Sequence, residues 1–277
     1  MIIDAHHHLW KYNAEDYGWI DHSMEVLRRD YLPQDLEKEI AGAGVLATVV
    51  VQARQKLEET EWLLELAGNT PFIKGVVGWV DLRSSELGAQ LKQFAGHEKL
   101  VGIRHVIQDE PDENFMLRPA FLKGIEELQS YNLTYDLLLF PRHIQRAIDL
   151  VRMFPEQQFV LDHISKPDIK SGIIQPWKND IEALAAFPNI WCKISGMVTE
   201  ADLDHWNYED FVPYMDAVFD AFGANRIMLG SDWPVCRLGG EYHEVMKIPQ
   251  TYFKDLDDEK KEKVYKTNAI DCYQLEK

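Results

Sequence analysis

Residues capable of metal binding or acid–base chemistry open the chain, in the run Asp4-Ala5-His6-His7-His8. Because strand side chains alternate between two faces, the run predicts Asp4, His6 and His8 on one face and His7 on the other. Two imidazoles converging at a strand end often begin a metal or acid–base site. The alternatives are a tag remnant or ordinary hydrogen-bonded strand residues. A tag is disfavoured because the run contains only three histidines and the strand pattern continues through them.

Composition and charge limit the classes of protein to which the chain can belong. Its 277 residues, 46% of them hydrophobic, suffice for one large domain, and (β/α)8 barrels typically need about 250 residues. The formal net charge of −17, from 29 Lys and Arg against 46 Asp and Glu, argues against a nucleic-acid partner. With no apolar run near 18 residues and no signal-peptide pattern, we expect no membrane partner and a cytoplasmic location.

The cysteine and glycine patterns exclude two further kinds of site. Cys192, Cys236 and Cys272 are odd in number and have no Cys-x-x-Cys spacing, so they predict neither a disulfide framework nor a zinc knuckle. No Gly-x-Gly-x-x-Gly follows a strand-like run, so the dinucleotide-binding signature is absent from the sequence. We therefore expect no organic cofactor.

Strand-like and helix-like segments alternate along the whole chain, as in a parallel sheet. After the first strand, further strands are predicted at 45–52, 72–80, 100–108, 133–140, 158–163, 189–195 and 226–232. Helices are predicted at 34–41, 57–67, 86–94, 119–131, 144–154, 177–187, 208–222 and 258–273. Eight strands alternating with helices predict a single (β/α)8 TIM barrel domain over residues 1–277. A doubly wound open sheet is the competing architecture.

Polar residues accumulate where the apolar strand patterns stop, and in such barrels chemistry occurs at these strand ends. The first strand supplies His6 and His8, the sixth His163 and the eighth Asp232. Each of these taken alone is typical of a structural hydrogen bond. Together they indicate a site, because only a closed barrel makes the eighth strand a neighbour of the first.

Five longer motifs resemble those of the amidohydrolase superfamily. They are Asp4-Ala5-His6-x-His8, Gly102-Ile103-Arg104-His105, Leu161-Asp162-His163-Ile164-Ser165-Lys166-Pro167, Cys192-Lys193-Ile194-Ser195-Gly196 with Thr199-Glu200-Ala201-Asp202, and Leu229-Gly230-Ser231-Asp232-Trp233-Pro234. The chain is most similar to the sugar-lactonase group, which includes L-fuconolactonase and L-rhamnonolactonase-like enzymes. The 2-pyrone-4,6-dicarboxylate lactonases are more distant. The resemblance covers essentially the whole chain.

The resemblance implies an amidohydrolase-like barrel with His6, His8, His163 and Asp232 at metal-ligand or vestigial-ligand positions. The chain departs from binuclear members, since no lysine or glutamate can be assigned as a metal bridge and only His163 matches their second histidine pair. Three imidazoles and a carboxylate could hold one Zn²⁺. Members of the resembled group also work without a divalent ion, so the requirement for metal stays open.

Lactone hydrolysis needs a base for water, a stabilised oxyanion and a proton for the leaving oxygen. We expect Asp232 to be the general base, with Arg104 and the histidines, His163 among them, stabilising the oxyanion. Further residues are expected to bind the substrate by hydrogen bonds or as flat apolar walls. They are Trp10, Gln52, Trp79, His105, Lys166 and Trp233.

Two other functions remain compatible with the sequence. One is a metal-dependent decarboxylase or another amidohydrolase-type enzyme on the same scaffold, which would need a firmly bound ion. The other is a non-catalytic barrel that binds a sugar acid. For the lactonase, few arginines stand at strand ends to bind carboxylates. The sequence therefore predicts that its substrates are neutral aldonolactones such as L-fuconolactone rather than dicarboxylate lactones.

Overall fold

Eight parallel strands form one sheet in chain order in this computed structural model, which describes residues 1–94 and 96–275. The strands are β1 Ile2–His7, β2 Val45–Val51, β3 Ile73–Gly78, β4 Leu100–His105, β5 Thr134–Leu137, β6 Phe159–Leu161, β7 Ile190–Ile194 and β8 Ile227–Leu229. Each pairs in parallel with the next. Nearly every strand residue is buried, as the β-branched runs in the sequence predicted.

Helices follow the strands and cover the outside of the sheet. They are α1 Pro33–Ala43, α2 Leu57–Asn69, α3 Leu87–Phe94, α4 Pro119–Gln129, α5 Ile144–Met153, α6 Trp177–Ala185, α7 Tyr208–Phe222, α8 Tyr242–Tyr252, α9 Asp258–Glu262 and α10 Asn268–Tyr273. A π-helical turn, Lys263–Thr267, joins α9 to α10. The helix α8, which contains Pro249, was not predicted. Within the described ranges, no helix has both the length and the apolar character needed to cross a membrane.

The ends of β8 and β1 meet and close the barrel. The backbone N–H of Asp232 donates to the carbonyl of His6 at 2.8 Å, and that of His8 donates to the carbonyl of Trp233 at 2.6 Å. The Asp4 carboxylate reinforces this seam by accepting from the Ser231 hydroxyl at 2.6 Å and from the Ser231 backbone N–H at 2.9 Å. The closed (β/α)8 barrel predicted from the sequence is confirmed, and the open sheet is excluded.

The register of β1 shifts between Asp4 and His7, and this corrects one expectation. Asp4 does not share the face of the two imidazoles. Its carboxylate instead accepts from the Tyr242 hydroxyl of α8 at 3.0 Å, on the helix side of the sheet. His7 points away from the other rings, as predicted, with its Nε2 atom 2.9 Å from the Thr48 hydroxyl. An irregularity of this kind reverses the faces of the residues that follow it.

An apolar cluster fills the lower part of the barrel interior. It includes Ile3, Ala5, Val49 and Met228, and Tyr273 of α10 packs against them. A larger cluster lies between the strands and the helices. The interior is therefore a packed core rather than a pore, and the room for chemistry lies above it, at the carboxyl ends of the strands.

Candidate active site

Four side chains from the ends of β1, β6 and β8 converge on one point. His6 Nε2 lies 3.3 Å from His8 Nε2, and His8 Nε2 lies 3.2 Å from Asp232 Oδ1. The same carboxylate oxygen is 3.9 Å from His6 Nε2 and 3.8 Å from His163 Nε2. All four side chains are buried. The structure thus brings together the four residues that the strand-end pattern grouped.

Hydrogen bonds behind the rings orient them toward this point. His8 Nδ1 lies 2.8 Å from the Val51 carbonyl oxygen. Because a carbonyl can only accept, His8 Nδ1 carries a hydrogen, and the Nε2 atom on the other side of the ring faces the site. His163 Nδ1 lies 2.9 Å from the Ser195 hydroxyl, and His6 Nδ1 lies 3.2 Å from Asp162 Oδ1. Partners of this kind fix the ring orientation of histidines that act as ligands.

Burial sets the charge of these groups. Desolvation lowers the pKa of His163 to about 4 and holds the pKa of His6 well below its usual value, so both rings are neutral near pH 7. For Asp232, burial alone would raise the pKa, but interactions with His163 and the hydrogen bond from His8 outweigh it and lower the pKa. The centre therefore holds an ionised carboxylate beside the neutral rings of His6 and His163.

The donor set fits a divalent metal ion. His6, His8 and Asp232 each offer a ligand atom within 4.8 Å of the others. Tetrahedral ligands about 2.0–2.1 Å from Zn²⁺ lie about 3.3 Å apart. The two imidazoles are 3.3 Å apart and His8 is 3.2 Å from the carboxylate, whereas His6 is 3.9 Å from it. Neutral imidazole and carboxylate are also the ligands that such ions prefer.

The Arg104 guanidinium lies beside the four converging groups and is buried. Its Nη1 atom donates to Asp162 Oδ2 at 2.9 Å and is 3.3 Å from His6 Nε2. Its Nη2 atom donates to Gln52 Oε1 at 3.0 Å. A fixed cation therefore stands at the centre, as expected of a group that stabilises developing negative charge.

A buried ion network below Arg104 was missed in the sequence. Lys193 Nζ lies 2.7 Å from Asp136 Oδ2 and 3.0 Å from Asp162 Oδ1, and all three side chains are inaccessible to solvent. Tyr273 donates to the same Asp136 oxygen at 2.6 Å. The available signal was a lysine within the otherwise apolar strand 190–194, because a buried lysine requires carboxylate partners. The network holds Asp162, and through it His6 and Arg104.

Residues of two site loops adopt backbone conformations with positive φ, which is rare outside glycine. His163, Ile164 and Lys166 have φ values of 53°, 49° and 50°, and Asp232 has 58°. Such strain persists only where the surroundings hold it in place, and it clusters at functional sites. Gly196, with φ 61°, packs on His163, since a Cβ atom there would lie 2.5 Å from the imidazole Nδ1.

A solvent-connected cavity of about 720 Å³ opens above the centre. Its wall includes five of the residues predicted from the sequence, and these are His8, Arg104, His163, Lys166 and Asp232. His6 is fully buried behind them. The volume lies within the range of about 300–1,000 Å³ that is usual for small-molecule sites.

Five predicted substrate contacts are not among the residues that line this cavity, which corrects their assignment. Trp10 and Trp233 are fully buried, Trp10 donating to the Arg29 carbonyl at 2.9 Å. Gln52 holds Arg104, and Trp79 donates to His105 at 3.3 Å. Four of the five are buried and Trp79 is half-buried, so they support the site rather than line the cavity. The list comprises Trp10, Gln52, Trp79, His105 and Trp233.

Loops that the sequence did not assign to the site supply much of the cavity wall. Asp16 and Trp19 come from the long segment after β1, and Arg54 and Lys56 follow β2. Asp16 forms ion pairs with both Arg54 and Lys56. The length and aromatic content of the segment after β1 favour an ordered cover. Which of its side chains would face the cavity could not be read from its irregular pattern.

The sequence of this chain matches the amidohydrolase family over residues 3–275. The chain belongs to the amidohydrolase family. An L-fucono-1,5-lactonase of Burkholderia ambifaria is 37% identical over 279 residues, covering 99% of this chain and 96% of the relative. An L-fucono-1,5-lactonase of Burkholderia multivorans is 38% identical over 286 residues, with the same coverage of 99% and 96%. These matches confirm the resemblance drawn from the motifs.

A solved amidohydrolase of Burkholderia multivorans with bound zinc has the same fold. It is 37% identical to this chain, covers 100% of both chains and superposes with a TM-score of 0.96. The zinc is bound in that relative. In the present chain, the His and Asp donor set described above fits a divalent ion.

Proposed function

We propose that this amidohydrolase opens a neutral sugar lactone to the free sugar acid. The observation that carries the proposal is an ionised, buried Asp232 at the floor of a cavity, with Arg104 lining the same cavity. Two relatives that match over nearly the full chain are L-fucono-1,5-lactonases, and these names support L-fucono-1,5-lactone as the first substrate to test. A barrel that only bound a sugar acid would need neither a base nor oriented imidazoles.

The base in this reaction is Asp232. Its carboxylate takes a proton from water as the water oxygen bonds to the lactone carbonyl carbon. The carbonyl oxygen becomes an oxyanion, which the Arg104 guanidinium stabilises by charge. The intermediate then collapses by breaking the bond from the carbonyl carbon to the ring oxygen, and Asp232 returns its proton to that leaving oxygen. His163, held by Ser195, lies with its Nε2 atom 3.8 Å from Asp232 Oδ1 and is placed to stabilise the oxyanion together with Arg104.

We propose that His6, His8, His163 and Asp232 would hold the divalent ion, with Zn²⁺ as the expected metal. When bound, such an ion would supply Lewis acidity at the lactone carbonyl and at the attacking water. Arg104 already places a positive group beside the His6 lone pair at 3.3 Å. Arg104 therefore supplies part of the positive charge that stabilises the oxyanion.

The charges on the cavity wall favour a neutral substrate. Lys166 Nζ lies 3.5 Å from Glu200 Oε1, and Arg54 and Lys56 are paired with Asp16. The cations at the entrance are thus largely neutralised within the wall. Recognition of two substrate carboxylates calls for several unpaired arginines in fork geometry, and Arg104 is itself engaged by Asp162.

We further propose that residues 1–277 form one domain and that its partner is a small-molecule lactone. The family match over residues 3–275 supports this, although positions 95 and 276–277 lie outside the described residues. The cytoplasmic location stays a prediction.

The proposal is tested with the purified protein in a pH-indicator assay on a panel of aldonolactones. Hydrolysis releases one proton per lactone, so catalysis should appear as acidification well above the spontaneous rate. Elemental analysis of the same preparation reports its metal content. A preparation that opens no aldonolactone, but decarboxylates aromatic acids with a firmly bound ion, would replace our proposal with the decarboxylase alternative.

A further inference from the structure

Glu110 is a cavity-wall carboxylate that the reaction described above does not use. It follows β4, just after the short 3-10 turn Ile107–Asp109, and its side chain is 22% exposed. Its Oε1 atom lies 2.7 Å from His105 Nε2. The short distance and the partial exposure describe a carboxylate that is fixed on one side and open to the cavity on the other.

A hydrogen bond from Trp79 fixes the tautomer of His105. Trp79 Nε1 donates to His105 Nδ1 at 3.3 Å, so Nδ1 accepts and Nε2 carries the hydrogen that is donated to Glu110. Phe115 stacks on the imidazole with 4.8 Å between ring centroids and 20° between planes. Burial lowers the pKa of His105, which keeps the ring neutral near pH 7. A chain of hydrogen bonds from Trp79 through His105 therefore holds Glu110 in place.

This arrangement distinguishes Glu110 from Asp16 and Glu200, two other acidic groups of the wall. Asp16 and Glu200 are each paired with cationic side chains. Glu110 is instead fixed by a neutral imidazole, which leaves its negative charge uncancelled. An ionised carboxylate has about four acceptor sites, and among uncharged partners it accepts hydrogen bonds from hydroxyl or amide donors. Such a group, held rigidly at a cavity wall, suits a ligand that presents hydroxyl donors.

We infer that Glu110 determines substrate specificity by accepting hydrogen bonds from ring hydroxyls of the lactone. His105 and Trp79 are the positioning residues for that contact, acting through Glu110 rather than touching the substrate. The inference rests on the proposed function, because it assumes a hydroxylated lactone in this cavity. Removal of a buried hydrogen-bond partner from such a site is costly only for substrates that make the bond.

The experiment compares kcat/KM for L-fucono-1,5-lactone and for analogues that each lack one ring hydroxyl. It uses the wild type and the variants Glu110→Ala, Glu110→Gln, His105→Gln and Trp79→Phe. Glu110→Gln keeps the shape but, with His105 donating to its amide oxygen, turns an N–H donor toward the cavity. Glu113→Gln, an exposed carboxylate 3.9 Å from Arg142 and away from the cavity wall, is the matched control.

We expect Glu110→Ala to lower kcat/KM for the parent lactone on the order of 10- to 100-fold, as for loss of a hydrogen bond to a charged group. The loss should disappear with one particular deoxy analogue. Trp79→Phe should shift the same selectivity ratio in the same direction by a smaller factor, and Glu113→Gln should change nothing. A merely structural role would lower activity on every analogue equally.

Equal losses on all lactones, or no loss, would overturn the inference while leaving lactone hydrolysis intact. If Glu110→Ala fails to fold, Glu110→Gln decides by the same ratio. A wild type that opens none of the lactones overturns the proposed function together with this inference.

Discussion

Asp232 sits in a backbone conformation with φ 58° and is buried among three imidazoles. Burial opposes its charge, but His163 and His8 hold its pKa below the usual value. Asp232→Asn keeps the volume and removes the base, so we predict that kcat falls at least ~10²-fold while KM changes little. Steady-state kinetics on an aldonolactone measure both constants. An unchanged kcat would assign the base to another residue.

Gly196 supports His163 by having no side chain. A Cβ atom there would lie 2.5 Å from the imidazole, at φ 61°. Gly196→Ala therefore both strains the backbone and displaces the ring, and we predict a loss of kcat/KM of at least about tenfold, with a lowered Tm.

Gly172→Ala is the matched control for this substitution. Gly172 has φ 64° but no heavy atom within 4 Å of the added Cβ. It should lose stability, on the order of 1 kcal/mol, and keep its activity. Equal activity in both alanine variants would show that the position of His163 does not matter.

At this scale the sequence predicted Arg104 and the residues that follow apolar strand runs, but it missed the buried ion pair of Lys193 and Asp136. His6, His163 and Asp232 stand where apolar runs stop, so the pattern identified them. Lys193 and Asp136 are inside short strands, and their pairing across the barrel is a tertiary contact that no local pattern reports. Trp10 was assigned to the wall by residue type, whereas the fold buries it completely.

The turn from β2 into α2 depends on one buried carboxylate. Glu59, in the first turn of α2, accepts from the backbone N–H groups of Ala53 and Arg54 at 3.0 and 2.7 Å. Burial raises the pKa of Glu59 from 4.5 to about 7. Because the folded state holds this proton more tightly, the resulting stabilisation is full below about pH 4.5 and is lost as the pH rises through about 7.

We predict that Glu59→Gln removes this pH dependence. The amide oxygen can still accept from the loop, so the variant resembles the protonated wild type. The difference in unfolding free energy between the two proteins should change by roughly 3 kcal/mol between pH 4.5 and 8. Urea denaturation across that range measures it, with Glu58→Gln, an exposed neighbour, as control. Parallel stability curves would contradict the assignment.

Among the elements, β-branched runs and amphipathic helices were predictable because their periodicity is local. The strand β2 and the helix α7 were predicted to within a residue of their observed bounds. The helix α8 was missed, although α7, which also contains a proline, Pro213, was predicted. The register shift in β1 was also not predictable, since it depends on how β1 pairs with β2 across the barrel.

At the scale of the whole molecule, the fold places a fixed cation beside the ligand set. Arg104 Nη1 approaches the His6 lone pair that a metal would share. We predict that prolonged chelation lowers lactonase activity only partly or not at all. The assay compares chelated protein, re-metallated protein and untreated protein on the same aldonolactone. Activity that vanished with chelator and returned with Zn²⁺ would make the metal essential.

The net charge of the chain and the paired charges of the cavity wall both favour a neutral substrate. A protein with net charge −17 repels polyanions at a distance, and the entrance cations are paired within the wall. A neutral lactone is not repelled by the net charge and needs no free cation on the wall. The preference for neutral over anionic lactones therefore tests the account of both the chain's charge and its cavity.

The most direct measurement is kcat/KM for L-fucono-1,5-lactone and related galacto-configured aldonolactones against that for 2-pyrone-4,6-dicarboxylate and muconolactone, under one set of conditions. Our account predicts far faster hydrolysis of the neutral aldonolactones, with the anionic lactones close to the uncatalysed rate. A preference for the anionic lactones would contradict it, because the paired cations of the wall would then have to release their partners to bind substrate.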